Sequence, residues 1–258
     1  MKIVGSIQAR MGSTRLPGKV LKEICGKPML LWHIERIKNA RLLDDVIVAT
    51  TTSPSDDAIV KLCNKHHVKY FRGSENDVLS RIASLIRNFN IDIHVEFFGD
   101  SPLTDAHIID EVIGFYLKNN GRYDYVSNSL KTTYPPGQEV AVYRGTALIE
   151  ADESVPANNS LREHVSLHIT QNKDKFKTYN LESPKHYNYP EIYLEVDTPD
   201  DFEFISKIMG HFFAKGLEYF SLAQVLDYLL EHPELIKINQ KVERRWKKFR
   251  EDKCINPL

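Results

Sequence analysis

The chain has 258 residues, with 34 Lys and Arg against 35 Asp and Glu, so its formal net charge is −1. A near-neutral chain lacks the basic excess that sequence-independent nucleic-acid binding needs. No apolar run approaches the roughly 20 residues of a membrane-spanning helix. The three cysteines have no CxxC spacing and the N-terminus has no signal-peptide pattern. We therefore expect a cytoplasmic protein that binds neither nucleic acid nor membrane.

The first 128 residues alternate short apolar runs with amphipathic stretches of helical period, which predicts βαβ units. Strands are predicted over residues 2–8, 46–51, 68–71 and 93–98. Helices are predicted over residues 29–40, from Ser53 onward, and over residues 76–89 and 105–118. The predicted fold class is therefore α/β, a three-layer αβα arrangement around a Rossmann-like, mostly parallel sheet.

This alternation breaks after residue 128, where prolines interrupt short mixed runs. We interpret residues 129–190 as an inserted subregion. Its predicted elements are strands at 138–143 and 176–181 and a helix at 161–171. A strand at 192–196 and a helix from Pro199 then restore the α/β pattern. Residues 1–128 and 191–258 are accordingly predicted to form one α/β domain.

The last predicted element is a basic helix near the C-terminus. Residues 241–253 contain seven basic and three acidic residues, and Val242, Trp246 and Phe249 share one helical face. This pattern is typical of a terminal helix that packs by one side and leaves its basic side chains in solvent. A nucleic-acid contact is the alternative.

The loop after the first strand, QARMGSTRLPGKV, contains three cations: Arg10, Arg15 and Lys19. In an open parallel sheet, ligands bind outside the carboxyl ends of the strands, so this loop suits a polyphosphate. It is not a Walker A loop, because five residues separate Gly12 from Gly18 and Val follows the Lys. The alternative is an ordinary basic surface loop.

Two carboxylates follow strands in the same manner. Asp100 follows the strand at 93–98 after Gly99, and Asp197 follows the predicted strand at 192–196, with Glu195 on the same face. Carboxylates at one sheet edge suit Mg²⁺, and they repel each other unless a cation lies between them. The alternatives are a turn or cap for Asp100 and a helix cap for Asp197.

Five segments resemble one family in the same order along the chain: ARMGSTRLPGKVL, RGSENDVLSR, GDSPLTD, LREHVS and LEVDTPDDFEFI. Over about residues 1–208 the sequence is similar to the CMP-sugar cytidylyltransferases, which include the Kdo and acylneuraminate enzymes, and within them to the spore coat polysaccharide biosynthesis protein F branch. The resemblance implies a nucleotide-diphospho-sugar transferase fold. It also implies a Mg²⁺-dependent enzyme that joins CTP to an acceptor and releases pyrophosphate.

The resemblance also implies a role for individual residues. The catalytic residues would be Arg10, Lys19, Asp100 and Asp197, and the metal ligands Asp100, Asp197 and Glu195. The nucleotide would contact Ile7, Gln8, Ala9, Arg10, Gly12, Ser13, Arg15, Lys19, Arg72, Ser74, Asp77, Arg81 and Asp100. The acceptor would contact Glu139, Arg162, Glu163 and His164. Alternatively, Asp77 caps a helix, and the last group forms ion pairs of its own.

The predicted function is the synthesis of a CMP-activated sugar from CTP and a sugar acid or related acceptor, for surface polysaccharide or glycan biosynthesis. Two alternatives remain: a nucleotidyltransferase that makes a CDP-linked product from a phosphorylated alcohol or sugar, or uses another NTP, and an inactive nucleotide-binding homologue. Residues 129–190 would bind the acceptor and form a homodimer. The aromatic residues behind the dimer prediction are Tyr134, Tyr143, Phe176, Tyr179, Tyr187 and Tyr189.

Overall fold

The computed structural model describes residues 1–119 and 121–252, the last four of these by their backbone alone. The strands are β1 (Ile3–Gln8), β2 (Glu23–Ile24), β3 (Lys27–Pro28), β4 (Asp45–Thr51), β5 (Lys69–Gly73), β6 (Ile93–Phe98), β7 (Tyr125–Ser127), β8 (Ala141–Arg144) and β9 (Thr178–Asn180). The helices are α1 (Met29–Ile37), α2 (Asp57–Lys65), α3 (Val78–Phe89), α4 (Ala106–Lys118), α5 (Gly145–Ser154), α6 (Leu167–Gln171), α7 (Pro199–Ala214), α8 (Leu222–Glu231), α9 (Pro233–Ile236) and α10 (Arg245–Asp252).

Seven strands form one sheet in the order β5-β4-β1-β6-β8-β7-β9. β5, β4, β1 and β6 run parallel, whereas β8 is antiparallel to both β6 and β7. The apolar run of β1 is buried almost throughout, because it has a parallel neighbour on each side and helices on both faces. The predicted mostly parallel sheet is confirmed.

Helices cover both faces of the sheet and give the predicted three layers. One apolar core joins the sheet to α1, α2, α4, α7 and α8. The second core joins the opposite face to α3, α5 and α6. In α3 the apolar side chains at helical spacing, such as Leu79, Ile82 and Ile86, all turn into this second core.

The strand order places a topological switch point at the carboxyl end of β1. From β1 the chain passes to β4 and β5 on one side, and then returns to β6 on the other side. In open α/β sheets, a crevice opens where the direction of the strand order reverses. The loop with the three cations leaves β1 at this point.

Residues 192–196 do not form the predicted strand. The segment is extended, but its amides bond to loops: Leu194 N donates to the Pro136 carbonyl (2.6 Å) and Val196 N to the Asp100 carbonyl (2.8 Å). The physical reason is that β8 already occupies the free edge of β6. The prediction was wrong about the strand, although the segment still ends beside Asp100.

The predicted helix at 161–171 was also too long. A 3₁₀ turn covers Ser160–Glu163, His164 is extended, and α6 follows. Within residues 129–190, β8 lies inside the main sheet and β9 forms its last strand. The division into two subregions stays a prediction.

Three of the six aromatic residues behind the dimer prediction are buried within the chain, namely Tyr134, Tyr143 and Phe176. They therefore give no support for a partner surface. Phe249 and Cys254 lie outside the residues whose side chains are described. Among the described helices, none is long and apolar enough to cross a membrane.

Candidate active site

Two cavities open side by side above the carboxyl ends of β1 and β6. The first, which we call the loop cavity, has a volume of about 670 Å³ and is lined by the loop after β1 together with Asp100, Glu195 and Asp197. The second, the floor cavity, has a volume of about 760 Å³ and reaches Glu96 on β6. The two share these lining residues: Gln8, Arg10, Phe98, Ser129, Glu139, His164 and Trp246.

Backbone hydrogen bonds fold the loop after β1 back on itself. The Met11 carbonyl accepts from Ser13 N (2.9 Å) and from Gly18 N (3.1 Å), and Met11 N donates to the buried carboxylate of Asp56 (2.7 Å). Gly18 has a φ of 67°, a left-handed conformation that favours glycine. The returning chain carries Lys19 underneath the loop cavity.

Lys19 joins two of the three predicted metal ligands, Asp100 and Asp197. Its Nζ lies 3.2 Å from Asp100 Oδ2, 2.9 Å from Asp197 Oδ1 and 2.7 Å from the Val196 carbonyl oxygen. Burial alone would lower the pKa of Lys19, but the charges of the two carboxylates outweigh it and the pKa is raised. The cation that separates these carboxylates in the structure is therefore an ammonium group.

Asp197 is held by a second cation from the same loop. Arg15 Nη2 lies 2.5 Å from Asp197 Oδ2. Burial would raise the pKa of Asp197, yet Lys19, Arg15 and Arg244 together lower it. The cations of the loop after β1 thus neutralise a carboxylate that would otherwise be largely buried without a partner.

Glu195 lies beside this pair in a different electrostatic setting. Burial, with the charges of Glu139 and Asp100, raises the pKa of Glu195 to about 8. Its Oε1 accepts a hydrogen bond from Trp246 Nε1 at 2.9 Å. The predicted third ligand is therefore next to the Asp pair but engaged with another side chain.

The carboxylates of Asp100 and Asp197 fit Mg²⁺ in type and in number. Among the described residues, no group of three or more His, Cys, Asp or Glu side chains is arranged as a metal site. Mg²⁺ is commonly bound by one or two carboxylates plus substrate phosphates and water. Asp100 and Asp197 supply that number, since both meet the Lys19 Nζ.

Most residues predicted to bind the nucleotide come together around the two cavities. Gln8, Arg10, Gly12, Ser13, Arg15 and Lys19 line the loop cavity, and Ala9 and Arg81 line the floor cavity. The Ile7 side chain is buried in the core beneath them. Gly99 keeps Asp100 close to β1, because a Cβ on Gly99 would lie 2.5 Å from the Gln8 carbonyl oxygen.

Arg72, Ser74 and Asp77 do not line either cavity. The Arg72 guanidinium donates to the carbonyls of Thr51 and Ser53 and pairs with Asp57 at 2.7 Å. Ser74 Oγ accepts from Asp77 N, and Asp77 caps α3 by accepting from Ser80 N. The helix-cap alternative describes Asp77 correctly.

Of the predicted acceptor residues, Glu139, Glu163 and His164 line the floor cavity and Arg162 does not. The buried Arg162 guanidinium pairs with Asp77 (2.7 Å) and Asp152 (2.6 Å). It therefore ties the turn at 160–163 to α3 and α5, as the ion-pair alternative proposed.

The cavities also contain residues that the sequence analysis missed. Glu96 is 3% exposed, and burial raises the pKa of its carboxyl to about 7 against hydrogen bonds from Ser166, Tyr143 and Gln8. A charged residue inside the apolar run IHVEFF was the signal that could have found it. Asn76 lines the floor cavity, and Arg245 and Trp246 reach the loop cavity from α10.

Comparison with known proteins agrees with this geometry. Residues 4–232 match the sequence model of the Cytidylyltransferase family. The uncharacterized protein MJ1063 of Methanocaldococcus jannaschii is 39% identical over 251 residues, covering 97% of this chain and 99% of that protein. The spore coat polysaccharide biosynthesis protein SpsF of Bacillus subtilis is 30% identical over 206 residues, covering 78% of this chain and 84% of that protein.

A solved structure is similar over almost the whole chain. A cytidylyltransferase from Leptospira borgpetersenii superposes with a TM-score of 0.86 at 30% identity, covering 95% of this chain and all of that one. The resemblance predicted from the five sequence segments is thereby confirmed. The chain belongs to the cytidylyltransferase family and is a nucleotidyltransferase of the CMP-sugar cytidylyltransferase type.

Proposed function

We propose that this enzyme joins CTP to a sugar acid or a related acceptor and produces a CMP-activated sugar and pyrophosphate for polysaccharide biosynthesis. The observation that carries the proposal is the meeting of Asp100, Asp197 and Lys19 under a cationic loop at the switch point of the sheet. Nucleotidyl transfer needs this combination, because its barrier consists largely of charge and alignment.

The triphosphate would lie in the loop cavity. Arg15 and Lys19 are both paired with Asp197. When CTP binds, we expect them to exchange part of this pairing for the β- and γ-phosphates, while Arg10 meets the phosphates from the wall between the cavities. Asp100 and Asp197 would hold Mg²⁺, which when bound neutralises phosphate charge and polarises the α-phosphorus.

In the reaction, an acceptor hydroxyl oxygen forms a bond to the α-phosphorus and loses its proton. The bond from that phosphorus to the pyrophosphate oxygen breaks. Lys19 and Arg10 would stabilise the charge that develops on the departing pyrophosphate. The residues shared by the two cavities, among them Phe98 and Trp246, would surround the point where acceptor and triphosphate meet.

The cytosine would bind at the end of the floor cavity lined by Asn76 and Arg81. The Arg81 side chain lines this cavity, so its guanidinium would donate to cytosine O2 or N3. The Asn76 carboxamide could accept from the cytosine amino group. This replaces Arg72 and Ser74 as the proposed base contacts.

The acceptor would occupy the rest of the floor cavity, near Glu139, Glu163 and His164. Because Arg162 is turned away, we propose Arg10 and His164 as the basic side chains that meet an acceptor carboxylate. A mixed lining of carboxylates and cations suits an acceptor with several hydroxyls and one acidic group.

Pyrophosphate release tests the proposal against its alternatives. The enzyme is incubated with each NTP and Mg²⁺, with and without sugar acids or polyol phosphates, and products are examined by ³¹P NMR. We expect release only with CTP and a sugar acid, and a product with one phosphorus. A product with two phosphorus atoms from a phosphorylated acceptor would favour the CDP-linked alternative. No release with any pair would favour an inactive homologue.

A further inference from the structure

We infer that two residues of the C-terminal arm (residues 239–252) contact the substrates, with Arg245 binding the triphosphate and Trp246 closing the junction of the two cavities. This inference rests on the proposed function. The arm lies beyond residues 4–232, where the family model matches, and beyond the segments that carry the resemblance. We therefore infer the role of the arm from the contacts that its own residues make.

The base of the arm is fixed by buried polar contacts. Asn239 Nδ2 donates to the Tyr193 carbonyl and to Asp201 Oδ1, each at 2.9 Å. Arg244, 4% exposed, pairs with the same Asp201 at 2.9 Å and lies over the Tyr193 ring. Removing one partner of a buried ion pair is strongly destabilising, so these contacts fix the base of the arm on α7.

From this base the arm contacts the loop after β1 at two points. Arg15 Nη1 donates to the Glu243 carbonyl at 2.8 Å, and Arg245 Nη1 donates to Thr14 Oγ1 at 3.2 Å. Arg15 is the residue that also holds Asp197. The arm thus lies against the loop on the side where the triphosphate is proposed to bind.

Arg245 has the properties of a phosphate-binding residue. It lines the loop cavity and is exposed. Its guanidinium bonds to a neutral hydroxyl, and among the described side chains it has no ion pair, whereas Arg15 and Lys19 share Asp197. A guanidinium with free donors beside a cationic loop is suited to a phosphate oxygen.

Trp246 lies where the two cavities meet, since it lines both of them. Its Nε1 donates to Glu195, the carboxyl next to Asp100 and Glu139. Groups at this junction would be near the α-phosphate and the attacking oxygen. We therefore expect the indole to contact the bound nucleotide and to exclude water from the reacting atoms.

The chain offers a direct readout, because its two tryptophans are Trp32 and Trp246 and Trp32 is buried in α1. Titration of the full chain with CTP and Mg²⁺ should change the fluorescence, and Trp246→Phe should abolish that change while calorimetry still detects binding. If Trp246→Phe keeps the ligand-dependent signal, the indole does not contact the nucleotide and the inference is overturned for this residue.

Arg245 is tested by comparing CTP with cytidine in calorimetry. Arg245→Ala should weaken CTP binding about tenfold, the effect of one charge-assisted hydrogen bond, and leave cytidine binding unchanged. Arg245→Lys should restore part of the affinity. Lys248→Ala, an exposed cation on the same helix, is the control and should bind CTP normally. Equal CTP affinity of Arg245→Ala and wild type overturns the inference alone. Failure of the wild type to bind CTP overturns the proposed function, and the inference with it.

Discussion

At the scale of single residues, Lys19 holds the site together before any substrate is bound. We predict that Lys19→Ala lowers kcat/KM by about 10²-fold or more, because it removes the cation that faces the departing charge. It should also cost roughly 1–3 kcal/mol of unfolding free energy, since Asp100 and Asp197 lose their shared partner. Steady-state kinetics and urea unfolding measure the two effects.

Lys22→Ala is the matched control, because Lys22 is exposed and lies three residues further along the same segment. It should retain both activity and stability. A folded Lys19→Ala variant within threefold of wild-type kcat/KM would place the triphosphate elsewhere.

The structure reverses the expectation that the carboxylates of Asp100 and Asp197 repel each other in the metal-free protein. If they repelled each other, Asp197→Asn would stabilise the metal-free protein. Instead, Lys19 and Arg15 pair with Asp197, and Asp197→Asn should destabilise it by roughly 1–3 kcal/mol at pH 7. The pKa of Asp197 is lowered in the folded state, so its contribution is present above the unfolded pKa and is lost as the pH falls through the folded one.

Urea unfolding at pH 7 and near pH 3 should therefore show a stability difference between wild type and Asp197→Asn that shrinks in acid. Asp200→Asn, at an exposed position in the first turn of α7, is the control. A higher melting temperature for Asp197→Asn without metal would show that repulsion dominates after all.

The raised pKa of Glu96 predicts that the free energy of unfolding changes with pH in the direction opposite to that for Asp197. The pKa of Glu96 is raised to about 7 from an ordinary value of 4.5, so between these values the folded state holds the extra proton. Stability is then lost as the pH rises through this window, because the folded state must ionise a buried group. Glu96→Gln removes the titrating group and should flatten this part of the profile. Unfolding free energies at pH 5 and pH 8 measure it; equal slopes in both proteins would contradict the raised pKa.

At the scale of elements, close packing of β1 against the turn after β6 sets the position of Asp100. Gly99→Ala would place a Cβ 2.5 Å from the Gln8 carbonyl oxygen, so the backbone must shift. We predict a loss of roughly 2 kcal/mol in stability together with a fall in kcat. Gly210→Ala on α7 meets no atom within 4 Å and should be neutral or stabilising by up to about 1 kcal/mol. Full activity of Gly99→Ala would show that the turn adapts.

The elements predicted correctly are those whose periodicity is complete within one segment, such as β1, α3 and β6. The extended segment at 192–196 has the composition of a strand, but whether it pairs depends on β8, which takes the edge of β6. Likewise, the sequence predicts that Asp100 and Asp197 meet, because both follow runs directed to one edge. The partners of Arg72 and Arg162 could not be predicted, since long side chains choose among several carboxylates that only the folded chain brings near.

The same limit explains why the sequence does not identify Trp246 as a residue of the proposed active site. Its spacing with Val242 predicts one packed helical face, and the prediction of a packed terminal helix says nothing about what that face covers. The contact with Glu195 joins positions 51 residues apart in sequence. No local pattern encodes it, so the sequence assigns Trp246 to the packed face of a terminal helix and not to the active site.

At the scale of the whole molecule, the homodimer stays a prediction. The number of aromatic residues in 129–190 no longer supports it, and the prediction now rests on the exposed edge of the sheet. β9 is the last strand of the sheet beyond β7, and an edge strand presents unpaired backbone groups to another chain. Within β9, half-buried Tyr179 stacks on Phe115 at 4.6 Å between ring centroids. Two copies related by a two-fold axis could pair their β9 strands and cover these rings.

We therefore expect light scattering to give twice the chain mass at tens of micromolar, and Thr178→Lys, which places a charge on β9, to shift the protein toward monomer. Tyr179 remains in this variant, so the ring stack within each copy is kept and the melting temperature of the monomer should change little. If the variant is monomeric but has wild-type kcat/KM, each chain carries a complete active site, as the position of both cavities within one chain indicates. A wild-type protein that stays monomeric throughout this concentration range would contradict the dimer.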